Sequence, residues 1–292
     1  MEDTACLASA PAPSPYDDCG HIEDAQGEPF VSFLPGDYRL NWSPELEALH
    51  EESSRSHFID VWTRRAILAR LGRLPPAPTL ADIGCSTGYL LTDLRALLPQ
   101  ARLIGIDLLA DGLRKAHMHV PDALLVQADV CALPLTDRCL DVAVSANLLE
   151  HVRDDERALK EIWRILRPHG RAVLVVPVSP GCFDYYDRLL GHQRRYARGE
   201  LARKARRAGF QVLQDIHLGA PLFPAFWAVK HHNRKRRSAL RERALAQRVK
   251  DDIERTSGST LGRLACRLEE LQLRAGVRAP FGIRGLTVLE RS

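Results

Sequence analysis

Asp82-Ile83-Gly84-Cys85-Ser86-Thr87-Gly88 ends the apolar run Thr79 to Ile83 and leads directly into the amphipathic stretch Tyr89 to Leu98. An apolar strand, a glycine-containing turn and a helix in immediate succession bring backbone N–H groups close to a ligand at a helix N-terminus. A dinucleotide fingerprint asks for Gly-x-Gly-x-x-Gly at such a turn. Here Gly84 and Gly88 stand four apart, Ser86 takes the middle position and Asp82 ends the strand. A carboxylate at that point repels a pyrophosphate and attracts a cation such as an ammonium or a sulfonium. The turn therefore points away from a dinucleotide.

Working outward, the same strand–helix alternation repeats. Strands are expected at Arg102 to Asp107, Ala123 to Gln127, Leu140 to Ser145, Arg171 to Val176 and Gln211 to Ile216. Between them helices are expected at Leu109 to His119, Arg157 to Leu166 and Arg198 to Ala208. Alternation of this kind implies right-handed crossovers and a mostly parallel sheet covered on both faces, with ligands outside the carboxyl ends of the strands. Two more strand ends carry acids there: Asp107, placed to accept the hydroxyl protons of a ribose, and Asp129, followed by Val130 beside a small pocket where a base could lie. Any one of them alone reads as a helix cap; three after three successive strands make a site.

With these residues in view, the chain resembles the class I S-adenosylmethionine-dependent methyltransferases, in the group near the small-molecule enzymes. The resemblance runs from about residue 79 to 217 and includes Leu133-Pro134-Leu135, Asn147 to Val152, Leu166 to Gly170 and Gly191 to Tyr196. It implies a Rossmann-like, doubly wound seven-stranded sheet with an antiparallel last strand, here with a helical insertion before that strand. It implies S-adenosylmethionine as cofactor, held by Asp82, Gly84, Ser86, Gly88, Asp107, Asp129, Val130 and Asn147. Ser86 replaces the usual middle glycine, which is tolerable where φ stays negative. His169 stands where the family mostly has a second glycine before Gly170.

Methyl transfer from a sulfonium is an in-line displacement that depends on positioning, with a base needed only where the acceptor must lose a proton. His151, after the fourth strand of the repeat, and His192, after the fifth, are the candidates for that base. Tyr185, Tyr186, Arg194 and Arg195 gather in the same loop as His192 and are the candidate acceptor contacts. No metal is expected: Cys19, His21 and Glu23 lack a completing fourth ligand, and the seven cysteines show no finger spacing.

Composition bounds the rest. The chain has 292 residues, 45% hydrophobic and 27% charged, with net charge +4. That total hides a segment of net +8, Lys230 to Lys250, leaving the remainder at −4. The expected organisation is a flexible arm over 1–43, helices over 44–75, the main domain over 76–217 and 283–292, and a helical insertion over 218–282. Within the insertion Leu222, Phe223, Phe226 and Trp227 precede Lys230 and Arg234 to Arg237, a pattern that suits a lid or an anionic membrane surface. A second helix carries Leu261, Leu264, Leu268 and Leu271 on one face. No apolar run reaches the roughly 18 to 20 residues a bilayer requires, the N-terminus is acidic and the thiols read as reduced, so a cytoplasmic protein is expected, with peripheral membrane contact open.

The expected activity is methyl transfer to a small or lipid-like acceptor, at oxygen. The alternatives are a nucleic-acid methyltransferase using the basic insertion, or a cofactor-binding protein without catalysis. Asn147-Leu148-Leu149-Glu150, in place of the Asn/Asp-Pro-Pro-aromatic tetrad of many base-methylating enzymes, disfavours nucleic acid.

Overall fold

The computed structural model describes residues 27–34, 55–235, 251, 256 and 258–292. Short runs of apolar and β-branched residues form the strands, and the central ones are buried on both faces, as a covered parallel sheet requires, while β1 and the first half of β7 are partly exposed at the sheet edges. These are β1 (Val31–Ser32), β2 (Thr79–Ile83), β3 (Arg102–Asp107), β4 (Leu124–Gln127), β5 (Leu140–Ala146), β6 (Leu166–Pro177), β7 (Phe210–Leu218) and β8 (Arg284–Arg291). They lie in the order β1-β4-β3-β2-β5-β6-β8-β7. Every pair from β1 to β6 is parallel, while β8 runs antiparallel between β6 and β7. Strand order reverses between β2 and β5, which places a crevice at their carboxyl ends.

Helices α1 (Phe58–Leu68), α2 (Tyr89–Leu97), α3 (Ala110–His119), α4 (Asp155–Ile165), α5 (Tyr185–Leu189), α6 (Glu200–Arg207), α7 (Phe223–Lys235) and α8 (Thr260–Arg274) connect the strands. In α4 the cause is plain. Asp154 caps the first turn by accepting from Arg157 N at 3.0 Å, and Ala158, Leu159, Ile162 and Ile165 make one fully buried stripe. Each aliphatic side chain of that stripe contributes about 1.5 to 3 kcal/mol by leaving water. Two apolar layers result, one grouped around Ile83, Leu149 and Tyr196, the other around Ile67, Leu91 and Val175.

One expectation changes. The sheet has eight strands rather than seven, because Val31 and Ser32 of the supposed arm pair with Val126 and Gln127 and Phe30 is buried beside them. Of the two helices expected over 44–75, one is α1; residues 44–54, where the other is expected, lie outside the described residues. The leucines of α8 do not face the domain: Leu261, Leu264, Leu268 and Leu271 are all exposed. Instead α8 buries Gly262, Cys266 and Glu269. Phe58 lies where a side chain on Gly262 would stand, and the Glu269 carboxylate accepts from Gly219 N at 2.8 Å and Ala220 N at 2.9 Å. A carboxylate satisfying the turn after β7 outweighs the leucine periodicity in deciding which face turns inward.

The glycine turn after β2 is closed by packing as much as by conformation. Gly88 has φ 82°, and a Cβ there would stand 2.9 Å from both Cα and Cβ of Ala116 on α3. Gly88→Ala is expected to destabilise the fold by about 2 to 4 kcal/mol, from left-handed strain plus overpacking. A shift in the urea midpoint equivalent to less than 1 kcal/mol would contradict this.

Candidate active site

At the β2–β5 switch the protein opens a cleft of about 480 Å³, including space continuous with solvent, lined by Asp82, Gly84, Ser86, Asn147 and residues of α1, α2 and β8. Four of the expected cofactor residues thus stand together. Gly84 has φ 81° and presents bare backbone; a Cβ there would press on Leu148 at 3.1 Å. Two residues on, Ser86 does not meet the condition under which a side chain is easily tolerated there, since its φ is +45° rather than negative. His169, at the other position where glycine is usual, is also left-handed, at 62°. Such a conformation costs about 1 to 2 kcal/mol for a side chain-bearing residue. At Ser86 it is held by a 2.8 Å hydrogen bond from its own N–H to Asp107 Oδ2.

Asp107 ends β3 and takes a second backbone donor, Leu109 N at 2.9 Å on Oδ1, so its carboxylate is fixed at the rim next to the glycine turn. Asp129 accepts from Cys131 N at 2.8 Å and shapes the loop after β4, while Val130 turns its side chain into the core. Gly88, Asp107, Asp129 and Val130 do not themselves line the cleft wall. Gly88 serves the helix packing described above, and the two acids stand along the same sheet edge.

Asp82 dominates the electrostatics. Its carboxyl is buried, and burial first, then the neighbouring Asp107 charge, push it up to about 8 against the pull of Arg64. The carboxyl has no hydrogen-bond partner among the described residues. Thr87 Oγ1, on the same wall, is likewise buried without a partner. A buried acid that Arg64 offsets only in part, beside bare glycine backbone and an orphaned hydroxyl, fits an occupant bearing an ammonium and a sulfonium. S-Adenosylmethionine has that chemistry, with a ribose to meet Asp107.

Asp60, Thr63, Arg64, Tyr89 and Arg284 complete the cleft and were not anticipated. The spacing 60, 63, 64 puts three polar groups on one face of a helix that is otherwise apolar apart from Arg65, a signal the sequence does carry. Arg284 donates to Thr63 Oγ1 at 2.6 Å and to Asp60, tying β8 to α1, and Arg64 donates to Asp93 at 2.6 Å.

The candidate acceptor residues divide. Arg194 is engaged elsewhere: it pairs with Asp155 at 3.0 Å and donates to the Arg153 carbonyl. Arg195 is buried and donates to Asp187 Oδ1 at 2.7 Å. Lys230, expected among outward cations, is also buried, at 2.7 Å from Asp184 and 3.2 Å from Asp187. Neither Arg195 nor Lys230 stands free for a ligand or a membrane surface. Burial alone would raise the Asp187 carboxyl, but the hydrogen bond from His192 and the charges of Arg195 and Lys230 hold it far below the usual carboxylate range. Tyr185 and Tyr186 are half-buried on α5, their rings 6.1 Å apart. With Phe223, whose ring centroid lies 6.4 Å from that of Phe226 and 5.4 Å from that of Phe281, they give this region an aromatic character.

His151 and His192 do come together, ring centroids 4.7 Å apart and edge to face. His192 Nδ1 lies 3.0 Å from Asp187 Oδ1. Of the basic segment, 236–250 lies outside the described residues, as does the arm's Cys19, His21 and Glu23. Among the described residues no helix is long and apolar enough to cross a membrane.

Comparison with known proteins agrees with this geometry. Residues 81–174 match the family model described as a methyltransferase domain. A demethylmenaquinone methyltransferase of Thermus thermophilus is 32% identical over 140 residues, covering 44% of this chain and 63% of the relative. A malonyl-[acyl-carrier protein] O-methyltransferase of Methylococcus capsulatus is 34% identical over 110 residues, 36% of this chain and 40% of the relative. The chain thus spans less than two thirds of the length of these curated relatives. In fold it is similar to the solved complex of the Haloferax volcanii Trm112 methyltransferase activator with its methyltransferase, with TM-score 0.57 and 20% identity over 84% of this chain and 93% of that one. The acid-ended strands, the glycine turn at the switch point and the reversed β8 belong together: the chain carries a class I S-adenosylmethionine-dependent methyltransferase domain.

Proposed function

We propose that this protein transfers the methyl group of S-adenosylmethionine to oxygen of a small, predominantly apolar or lipid-like acceptor. The observation that carries the reading is Asp82, a buried carboxyl that lines the cleft with its charge only partly offset by Arg64, beside Asp107. The bound cofactor supplies an electrophilic methyl on a positively charged sulfur. The protein's own residues then have three tasks. Asp82 holds positive charge in the cleft, the Gly84 backbone allows close approach, and Asp107, fixed by Ser86 N and Leu109 N, offers its remaining lone pairs to a diol.

The acceptor would enter beside α5 and α7, where Tyr185, Tyr186, Phe223, Phe226 and Phe281 supply apolar and aromatic surface. With Lys230 turned inward on Asp184 and Asp187, α7 is tied to the loop after β6, and this supports the lid over the membrane-surface reading. The oxygen-methylating relative lends the choice of atom its support. A cytoplasmic location stays part of the proposal.

Incubation with S-adenosylmethionine and a series of hydroxyl-bearing acceptors, from polar to long-chain, tests this. S-Adenosylhomocysteine should form in step with acceptor and favour the apolar end of the series. Tight cofactor binding with no turnover across the whole series would leave a binding protein instead.

A further inference from the structure

Glu150, His151 and His192 form a second polar site that the cofactor does not explain. One ligand atom from each lies within 4.8 Å of the other two. Glu150 is fully buried, and neither carboxylate oxygen has a hydrogen-bond partner. A buried carboxylate is normally satisfied or coordinated, since leaving its oxygens bare costs several kcal/mol. The nearest cationic candidate is His192, whose Nε2 stands 4.0 Å from Glu150 Oε1, too far for a hydrogen bond.

His192 is oriented for another role. Asp187 already accepts from the Arg195 guanidinium and the Lys230 ammonium, so in the 3.0 Å contact it accepts again and His192 Nδ1 is the donor. In the neutral ring the lone pair then sits on Nε2, facing Glu150. A carboxylate that fixes one ring nitrogen and turns the other toward an ion is the usual outer support of a metal-bound histidine. Arg195 and Lys230 hold Asp187 in turn, at 2.7 and 3.2 Å, so the support is itself fixed. His151 closes the third side, its ring edge to face with that of His192 at 4.7 Å.

We propose that Glu150, His151 and His192 bind one divalent cation of the kind that accepts mixed nitrogen and oxygen ligands, Zn²⁺ or Mn²⁺, with coordination positions left open. Two ligands at about 2.0 to 2.2 Å from such an ion stand about 3 to 3.5 Å apart, so the site closes by side-chain rotations of under about 1 Å. The loop carrying Glu150 and His151 begins at Asn147, which lines the cofactor cleft, and Arg284 of the same cleft acts electrostatically on Glu150. An ion here is next to the place where the proposed acceptor would lie, and its use in holding an acceptor oxygen rests on the methyl-transfer reading. Its binding does not, and is measured without cofactor or acceptor.

The full chain, dialysed against a chelator, is titrated with Mn²⁺, read as loss of the free-ion paramagnetic resonance signal, and with Zn²⁺, read by competition with a chromophoric chelator. About one equivalent of at least one ion should bind, weakened at least tenfold in Glu150→Gln or His151→Ala. His151→Ala leaves the Asp187 pairs intact, and circular dichroism identifies which variants are folded. Weakening in either folded variant supports the site. No saturable binding of either ion, or binding unchanged in both variants as thiol capture would give, overturns it.

Discussion

Asp187→Ala should remove about 3 to 5 kcal/mol of folding stability, a large share of the 5 to 15 kcal/mol typical of a whole domain. The substitution leaves Arg195 and Lys230 buried with their charges and without the carboxylate that both address, at 2.7 and 3.2 Å. Lys230 retains Asp184, but the Arg195 Nε–H loses its carboxylate partner and its guanidinium keeps a 3.3 Å contact to the Val178 carbonyl. The lost bonds join the loop after β6 to α7, so the insertion should loosen first. Arg194→Ala, which removes a partly exposed partner from Asp155, should cost roughly 1 kcal/mol or less. Urea denaturation of both variants checks the contrast; a loss below 1 kcal/mol for Asp187→Ala would contradict the reading of this cluster as structural.

Asp82→Asn should lower S-adenosylmethionine affinity at least about a hundredfold, near 3 kcal/mol, because a desolvated charge contact is lost where water cannot replace it. The pH dependence carries more information. With its carboxyl at about 8, well above the unfolded value, the folded protein without ligand binds a proton that the unfolded chain has given up. Stability from this group is present in acid and declines as pH rises from about 4 toward 8, and the Asn variant should lack that slope. Cofactor binding requires the carboxylate, so wild-type affinity should climb between pH 6 and 7.5, by up to about tenfold per unit. A flat wild-type profile, or the same profile in Asp82→Asn, would remove Asp82 from the cation site.

The central half of the molecule is legible in the sequence because its elements are decided locally. Apolar strand runs alternate with amphipathic helices, and β2 to β5 start and stop within one or two residues of where their composition places them. Asp82, Gly84 and Asn147 could be located because each stands at, or just after, the carboxyl end of a strand at the switch edge. What escapes is decided by tertiary contact. Val31 and Ser32 form a strand only because β4 offers an open edge. Lys230 looks like one of a row of surface cations until Asp184 and Asp187 are brought against it. The leucine face of α8 turns outward because Glu269 is required at the turn after β7. Arg284 enters the cleft from the far end of the chain, and its partnership with Asp60 spans a separation that no local pattern encodes.

Ser86 shows a subtler limit. Its side chain type suggests negative φ, yet the hydrogen bond from its N–H to Asp107 holds it at +45°. The same bond links the glycine turn to Asp107, so the two halves of the proposed cofactor site are coupled through one backbone amide. Asp107→Ala should therefore relax the turn as well as remove an acceptor.

Titration calorimetry of S-adenosylmethionine into the wild-type chain and into Asp107→Ala tests the central claim most directly. One molecule should bind per wild-type chain, with affinity ten- to a hundredfold weaker in the variant, about 1.5 to 3 kcal/mol. Absence of binding to the folded wild-type protein, or equal affinity in the two, would contradict the assignment of this cleft to the cofactor.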